Sequence, residues 1–272
     1  SQRLTRYASE LVKELDQTDR EPFSNISIDD WEENLIYYAG LLHDIGKIAV
    51  PENILNKKNR LTDDRMEAIR NRFAYIEASG QGENIHSLIE SLREINESGY
   101  LTDENQEFLE DLYQREYEQL NGITSRWLTD QEFHHLSIKK GNLTLNEREQ
   151  IQYHAEATHE ILEGIEWTED LKQVPELASM HHEKLDGSGY PQGLEAEDIP
   201  LLGRVLCVVD IYEALTARDR PYKPAMDPEK ARSIIEEEAE AGHLDPDLVD
   251  LFFEEEIHLI LEDSRSESAV DV

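Results

Sequence analysis

His43 and Asp44 stand side by side in Leu41-Leu42-His43-Asp44-Ile45-Gly46-Lys47, and His181 and His182 stand side by side ahead of Gly187-Ser188-Gly189-Tyr190-Pro191. His154 and Asp210 are single residues of the same chemical kinds. Paired imidazoles and carboxylates set in apolar stretches are costly unless something neutralises them. A divalent metal does so. Imidazole nitrogen and carboxylate oxygen suit iron, zinc, manganese or nickel, and one Asp can bridge two ions through its two oxygens. Adjacent imidazoles repel if both are charged, and binding metal as neutral rings removes that cost.

Helical periodicity must position these groups. Ser27 to Asp30 opens a helix with a partial cap signature, and Trp31, Leu35, Tyr38, Ala39 and Leu42 recur along it at three- and four-residue steps, delivering His43 and Asp44 near its end. Gly46 and Pro51 then break the pattern. Thr144 and Glu147 form a capping box for a helix in which His154, Thr158 and Ile161 share a face. Pro175 begins a helix that ends in His181-His182, and the glycines after it require a loop. Pro200 suits the first turn of a helix over 201–215, apolar nearly all round and therefore predicted to be buried and central. Asp210 lies in its middle, where an unpartnered carboxylate would cost several kcal/mol or take up a proton. No convincing run of alternating strand residues is found, and the expected fold is all-α.

Residues 62–135 form an acidic segment with three apolar stripes at helical spacing: Met66, Ile69, Phe73 and Ile76; Leu88, Leu92 and Ile95; Phe108, Leu112, Tyr113, Tyr117 and Leu120. Turns are expected at Gly80-Gln81-Gly82 and Ser98-Gly99, giving a protruding helical hairpin or small subdomain. Asn59-Arg60-Leu61-Thr62 and Gly141-Asn142-Leu143-Thr144 look alike on either side and read as two similar helix caps. His134-His135 is also a pair but matches no motif. It reads as structural or exposed, as do His86, His159, His243 and His258.

With 61 acidic against 26 basic residues the net charge is −35, which removes the basic footprint that a duplex nucleic-acid binder needs. An anionic substrate would have to be drawn in by metal ions and a few local cations. No apolar run approaches the ~20 residues that span a bilayer, and the N-terminus lacks the pattern of a signal peptide. No membrane association is therefore expected within the chain. The single Cys207 reads as a small buried hydrophobe and rules out an internal disulfide, favouring a reducing cytoplasm.

His43-Asp44 with Gly46-Lys47, His181-His182-Glu183, Asp186-Gly187-Ser188-Gly189-Tyr190-Pro191, Asp210-Ile211-Tyr212-Glu213-Ala214-Leu215-Thr216 and Arg220-Pro221-Tyr222-Lys223 together resemble the HD-GYP family of metal-dependent cyclic dinucleotide phosphodiesterases. The resemblance implies an HD-superfamily helical bundle with a protruding helical insertion: residues 1–61 and 136–272 as the catalytic domain, 62–135 as the insertion. It implies two divalent ions, iron or manganese. One would be held by His43, Asp44, Asp210 and a further upstream His, the other by Asp44, His154, His181 and His182. The opening Ser1-Gln2-Arg3-Leu4-Thr5-Arg6-Tyr7 resembles the family's stretch just C-terminal to that upstream His, which would sit immediately before Ser1. Asp44 and Lys47 would serve catalysis, Lys47 at the scissile phosphate or the departing 3′-oxygen. Gly189 and Tyr190 would form the pocket rim, and Arg220 and Lys223 would hold the substrate phosphates. Thr216-Ala217-Arg218-Asp219-Arg220 is one residue longer than the commonest pattern, so Arg218 is a second candidate for that task. The implied product is a linear dinucleotide or, on a second cleavage, GMP, and the implied partners are an N-terminal sensory domain and a second copy in a homodimer. Two other readings compete. Another HD-superfamily nucleotide phosphohydrolase is disfavoured by the Gly-Tyr-Pro loop, and a catalytically weak sensor or interaction module by the intact ligand set.

Overall fold

The structure is a computed structural model, describing residues 2–217 and 225–261. Its helices in chain order are α1 (Gln2–Gln17), α2 (Asp30–Leu42), α3 (Glu52–Leu55), α4 (Asp63–Ala78), α5 (Ile85–Glu97) and α6 (Asp103–Gln114). A short hairpin, β1 (Glu116–Glu118) and β2 (Thr124–Arg126), precedes α7 (Asp130–Leu136). The chain continues through α8 (Leu145–Glu163), α9 (Val174–Ser179), α10 (Leu201–Thr216), α11 (Pro228–Glu240) and α12 (Pro246–Glu254). No helix among the described residues is long and apolar enough to cross a membrane. The chain divides into two compact units, Ser1–Val50 with Gln152–Val272, and Pro51–Ile151.

In the first unit α10 is the central helix. Val205, Leu206, Val208 and Val209 are fully buried, as the apolar run predicts. α1 packs on α2 and α10, and α2 also packs on α9. Tyr7, Tyr212 and Phe252 meet edge to face at ring separations of 5.1–6.0 Å, tying α1, α10 and α12 together. α2 starts at Asp30 behind a capping box formed by Asp29 and Glu32. α10 follows Pro200 and runs to Thr216.

The second unit has its own core of Leu61, Met66, Ile69, Phe73, Ile76, Leu92, Ile95, Leu109, Leu112, Trp127 and their neighbours. The first stripe is wholly buried on α4, and Leu92 and Ile95 of the second are buried on α5. The third is shorter than expected. α6 stops at Gln114, Tyr117 belongs to β1, and Leu120 is 93% exposed in the turn between the strands. The reason is local: Asn121-Gly122 supplies a hairpin turn, with Gly122 at φ +78°, and Tyr117 pairs with Ser125 instead of continuing a helix. The guanidinium of Arg60, fully buried, donates to the carbonyls of Ile95, Ser98 and Ile138. Those acceptors end α5 and the stretch after α7, which makes Arg60 an internal cap for both.

Candidate metal centre

α2 ends at His43, whose Nδ1 donates to the carbonyl of Gly40 at 2.7 Å, turning Nε2 toward the interior. The next residues, Ile45–Ala49, form a 3₁₀ turn that lies directly on α8. Gly46 N donates to Thr158 Oγ1 at 3.0 Å, and that hydroxyl donates to His43 O at 2.8 Å. A Cβ at position 46 would stand 2.0 Å from the carbonyl oxygen of His154. Only glycine permits this approach, and it brings the His43-Asp44 pair to His154.

The 3₁₀ turn Met180–His182 continues α9. His181 Nδ1 donates to Ala178 O at 2.8 Å, the same device as at His43. Such a bond leaves Nε2 as the ligand atom of a neutral ring. Cys207 of α10 donates to Met180 O at 3.3 Å, pinning the turn to the central helix. Glu183, 2% exposed, accepts from Gln192 N at 2.7 Å and Leu194 N at 2.9 Å. It therefore closes the Gly-Tyr-Pro loop on its own stem. Gly189 packs where a Cβ would fall 2.3 Å from Lys184 N, and Tyr190 N donates to His182 O at 3.1 Å. Glu183 belongs to a motif, but its use as a loop anchor has no signature in spacing.

The six side chains converge. Asp44 Oδ2 lies 3.2 Å from His43 Nε2, while Asp44 Oδ1 lies 3.6 Å from His154 Nε2 and 4.0 Å from His181 Nε2. Asp210 spans the other side, 3.6 Å from His43 Nε2 through Oδ1 and 3.6 Å from His182 Nδ1 through Oδ2. One ligand atom each of His154, His181 and His182 lie within 4.8 Å of one another. His154 Nε2 faces His181 Nε2 at 3.2 Å. Since His181 Nε2 is an acceptor in the neutral ring, that pair of nitrogens needs a hydrogen on His154 or a cation between them. Lys47 Nζ is 2.6 Å from Asp44 Oδ2, so here it forms an ion pair within the site. The ring of Tyr190 stands 4.7 Å from that of His182.

Burial opposes charge throughout. It holds His181 well below the usual imidazole range, helped by His182 and His43, and takes His182 down to about 3 with help from His154. Asp210 is pushed up to about 6, first by burial, then by Asp44 and Glu213, against the pull of His43 and Lys47. At Asp44 burial also works against the carboxylate, but the hydrogen bond and charge of His43, with Lys47, outweigh it and hold the group well below the usual range. His43 is correspondingly raised: burial lowers it, and the bond to Asp44 and the charges of Asp44 and Asp210 prevail. Burial, then Asp210 and Asp44, raise the Tyr190 phenol. Buried imidazoles around two carboxylates, with ring nitrogens turned inward and His181 and His182 held neutral by burial, are a donor set that fits divalent metal.

Arg220, Lys223 and the alternative Arg218 lie outside the described residues. His134 and His135 belong to the other unit, where His135 Nδ1 donates to Gln131 O and Nε2 lies 3.5 Å from Glu147.

One HD-domain family profile matches residues 1–119 and a second, also described as an HD domain, matches residues 129–248. A probable cyclic di-GMP phosphodiesterase of Vibrio cholerae is 28% identical over 260 residues, covering 95% of this chain and 40% of that protein. A 3′3′-cGAMP-specific phosphodiesterase of the same species is 39% identical over 109 residues, 40% of this chain and 23% of that protein. A cyclic di-GMP phosphodiesterase of Thermotoga maritima is 37% identical over 116 residues, 42% of this chain and 30% of that protein. The chain thus spans less than half the length of these curated relatives. Two HD-domain matches in succession, together spanning most of the chain, show that it belongs to the HD-domain superfamily, and relatives of this kind with the Gly-Tyr-Pro loop seated on the imidazole cluster support an HD-GYP domain.

Proposed function

We propose that this chain is a metal-dependent phosphodiesterase that hydrolyses cyclic di-GMP, or a related cyclic dinucleotide, to the linear dinucleotide or, on a second cleavage, to GMP. The observation that carries this reading is the placement of Asp44 between His43 and His154, with one oxygen toward each. A carboxylate so placed suits the bridge of a binuclear centre. In this reading His43, Asp44 and Asp210 serve one ion, and Asp44, His154, His181 and His182 the other, the ions being iron or manganese. When bound, such ions lower the pKa of water and neutralise phosphate oxygens.

The chain's own residues do the rest. Gly40 O and Ala178 O orient the His43 and His181 rings, and Glu183 fixes the loop that carries Gly189 and Tyr190. Tyr190, kept protonated by burial, offers a ring face for a base. Lys47, an ion-pair partner of Asp44, would meet the scissile phosphate or the departing 3′-oxygen. Arg220 and Lys223 complete the phosphate contacts. A cytoplasmic location, an N-terminal sensory domain and a homodimer belong to the same reading. Incubating metal-reconstituted protein with cyclic di-GMP and 3′3′-cGAMP, with products resolved chromatographically, tests it. The expected result is a linear dinucleotide that accumulates with time and is abolished by chelation; no cleavage of either substrate by fully metallated protein would refute it.

A further inference from the structure

His243 stands in the turn between α11 and α12, far in sequence from the loop it touches. Its backbone works in both directions: N donates to Glu238 O at 3.0 Å, and O accepts from Leu185 N at 3.0 Å. Its ring does the same. Nδ1 lies 2.7 Å from Glu238 Oε2 on α11 and 3.1 Å from Lys184 Nζ, while Nε2 lies 3.6 Å from Asp186 Oδ2. Asp186 in turn accepts from Ser188 N at 3.0 Å and Ser188 Oγ at 2.7 Å through Oδ1, opening the Gly-Tyr-Pro loop. Across the loop, Ala196 N donates to Leu185 O at 2.9 Å and Asp186 bridges to Glu195.

We propose that His243 is a positioning residue that clasps the base of the Gly-Tyr-Pro loop to the α11–α12 turn, and so sets where Tyr190 stands against His182. The loop stem, Lys184 to Asp186, has strand-like partners from 195–196 on one side and His243 on the other. A neutral ring accepts from Lys184 at Nδ1, and a charged ring donates to Glu238 there. In both states Nε2–H faces Asp186, so the clasp holds irrespective of the ring's charge. These groups are partly exposed, and such contacts contribute little to global stability. Their effect falls on the loop's position, which decides whether Tyr190 is presented to a substrate base.

Hydrogen exchange read by mass spectrometry on the metallated chain tests this without reference to activity. In His243→Ala, peptides covering 184–195 should exchange about three- to tenfold faster, with α1, α2 and α10 unchanged. Glu238→Ala should show part of that effect, and the double variant no more than His243→Ala alone, as expected for one shared contact. His243→Gln, whose amide N–H can face Asp186, should recover most of the protection. Should His243→Ala fail to fold, Glu238→Ala and His243→Gln carry the test. The kinetic arm rests on the phosphodiesterase reading: KM for cyclic di-GMP rises about three- to tenfold, with kcat and metal content near wild type. Unchanged exchange at 184–195, or exchange that rises equally across the whole unit, overturns the proposal. A wild-type chain that cleaves no cyclic dinucleotide would refute the phosphodiesterase reading alone, because the exchange pattern still decides the clasp.

Discussion

Asp44 Oδ1 lies 3.6 Å from His154 Nε2, although the whole of the Pro51–Ile151 unit separates the two residues in sequence. The other Asp44 oxygen faces His43 and Lys47. This carboxylate thus links the end of α2 to α8, and the chemistry proposed for the site turns on it.

Replacing Asp44 by Ala should remove both ions together. Element analysis of purified, reconstituted protein is the measurement, and the expected result is metal near background with the helical circular dichroism retained. A variant that still carried a full pair would show that Asp44 is not the bridge.

Metal ligands and phosphate holders should separate experimentally. His181→Ala or His182→Ala should lose metal and turnover together. Arg220→Ala or Lys223→Ala should keep metal and bind cyclic di-GMP about ten- to a hundredfold more weakly, since a charge-assisted contact is worth ~1.5–3 kcal/mol. If Arg218→Ala weakens binding while Arg220→Ala does not, the extra residue in that stretch has shifted the phosphate contact to Arg218.

Gly46→Ala tests the packing of the 3₁₀ turn on α8. The added methyl meets backbone atoms at 2.0 and 2.5 Å, which no rotamer relieves, so the turn must move. A loss of about 2 kcal/mol or more is expected, read as a lowered melting temperature, with reduced metal affinity because Asp44 leaves His154.

Acid should act on the second unit through Glu132. Burial tends to raise this carboxyl, but the fork to Arg72 at 2.7 and 2.9 Å and the Thr129 N–H hold it below the usual range. A carboxyl lowered by folding stabilises above its unfolded pKa of ~4.5, and the contribution disappears as pH falls through the lower folded value. Glu132→Gln should therefore melt lower than wild type at pH 7, and the difference should narrow below pH ~4. Protection of the Trp127 region in hydrogen exchange reports it.

The sequence is most legible where information is local. The Thr144–Glu147 capping box forms as expected, with reciprocal bonds of 2.8 and 3.2 Å. α10 is buried as its apolar run demands, and α4 buries every residue of its stripe. Periodicity and caps act over three or four residues, so their signal is carried by the order of neighbouring residues. The hairpin is also local, announced by Asn121-Gly122, but the apolar stripe running through Tyr117 past the end of α6 masks it.

The residue types proposed as metal ligands and the HD-domain resemblance are thus legible in the amino-acid order alone. What the order does not express is which groups meet: one Asp44 oxygen toward His43 and the other toward His154, Glu183 turned onto the loop it precedes, and His243, bland by its motif context, seated on Asp186. Those contacts depend on how distant helices pack, and packing is decided by the fit of whole surfaces, so only the tertiary structure determines them.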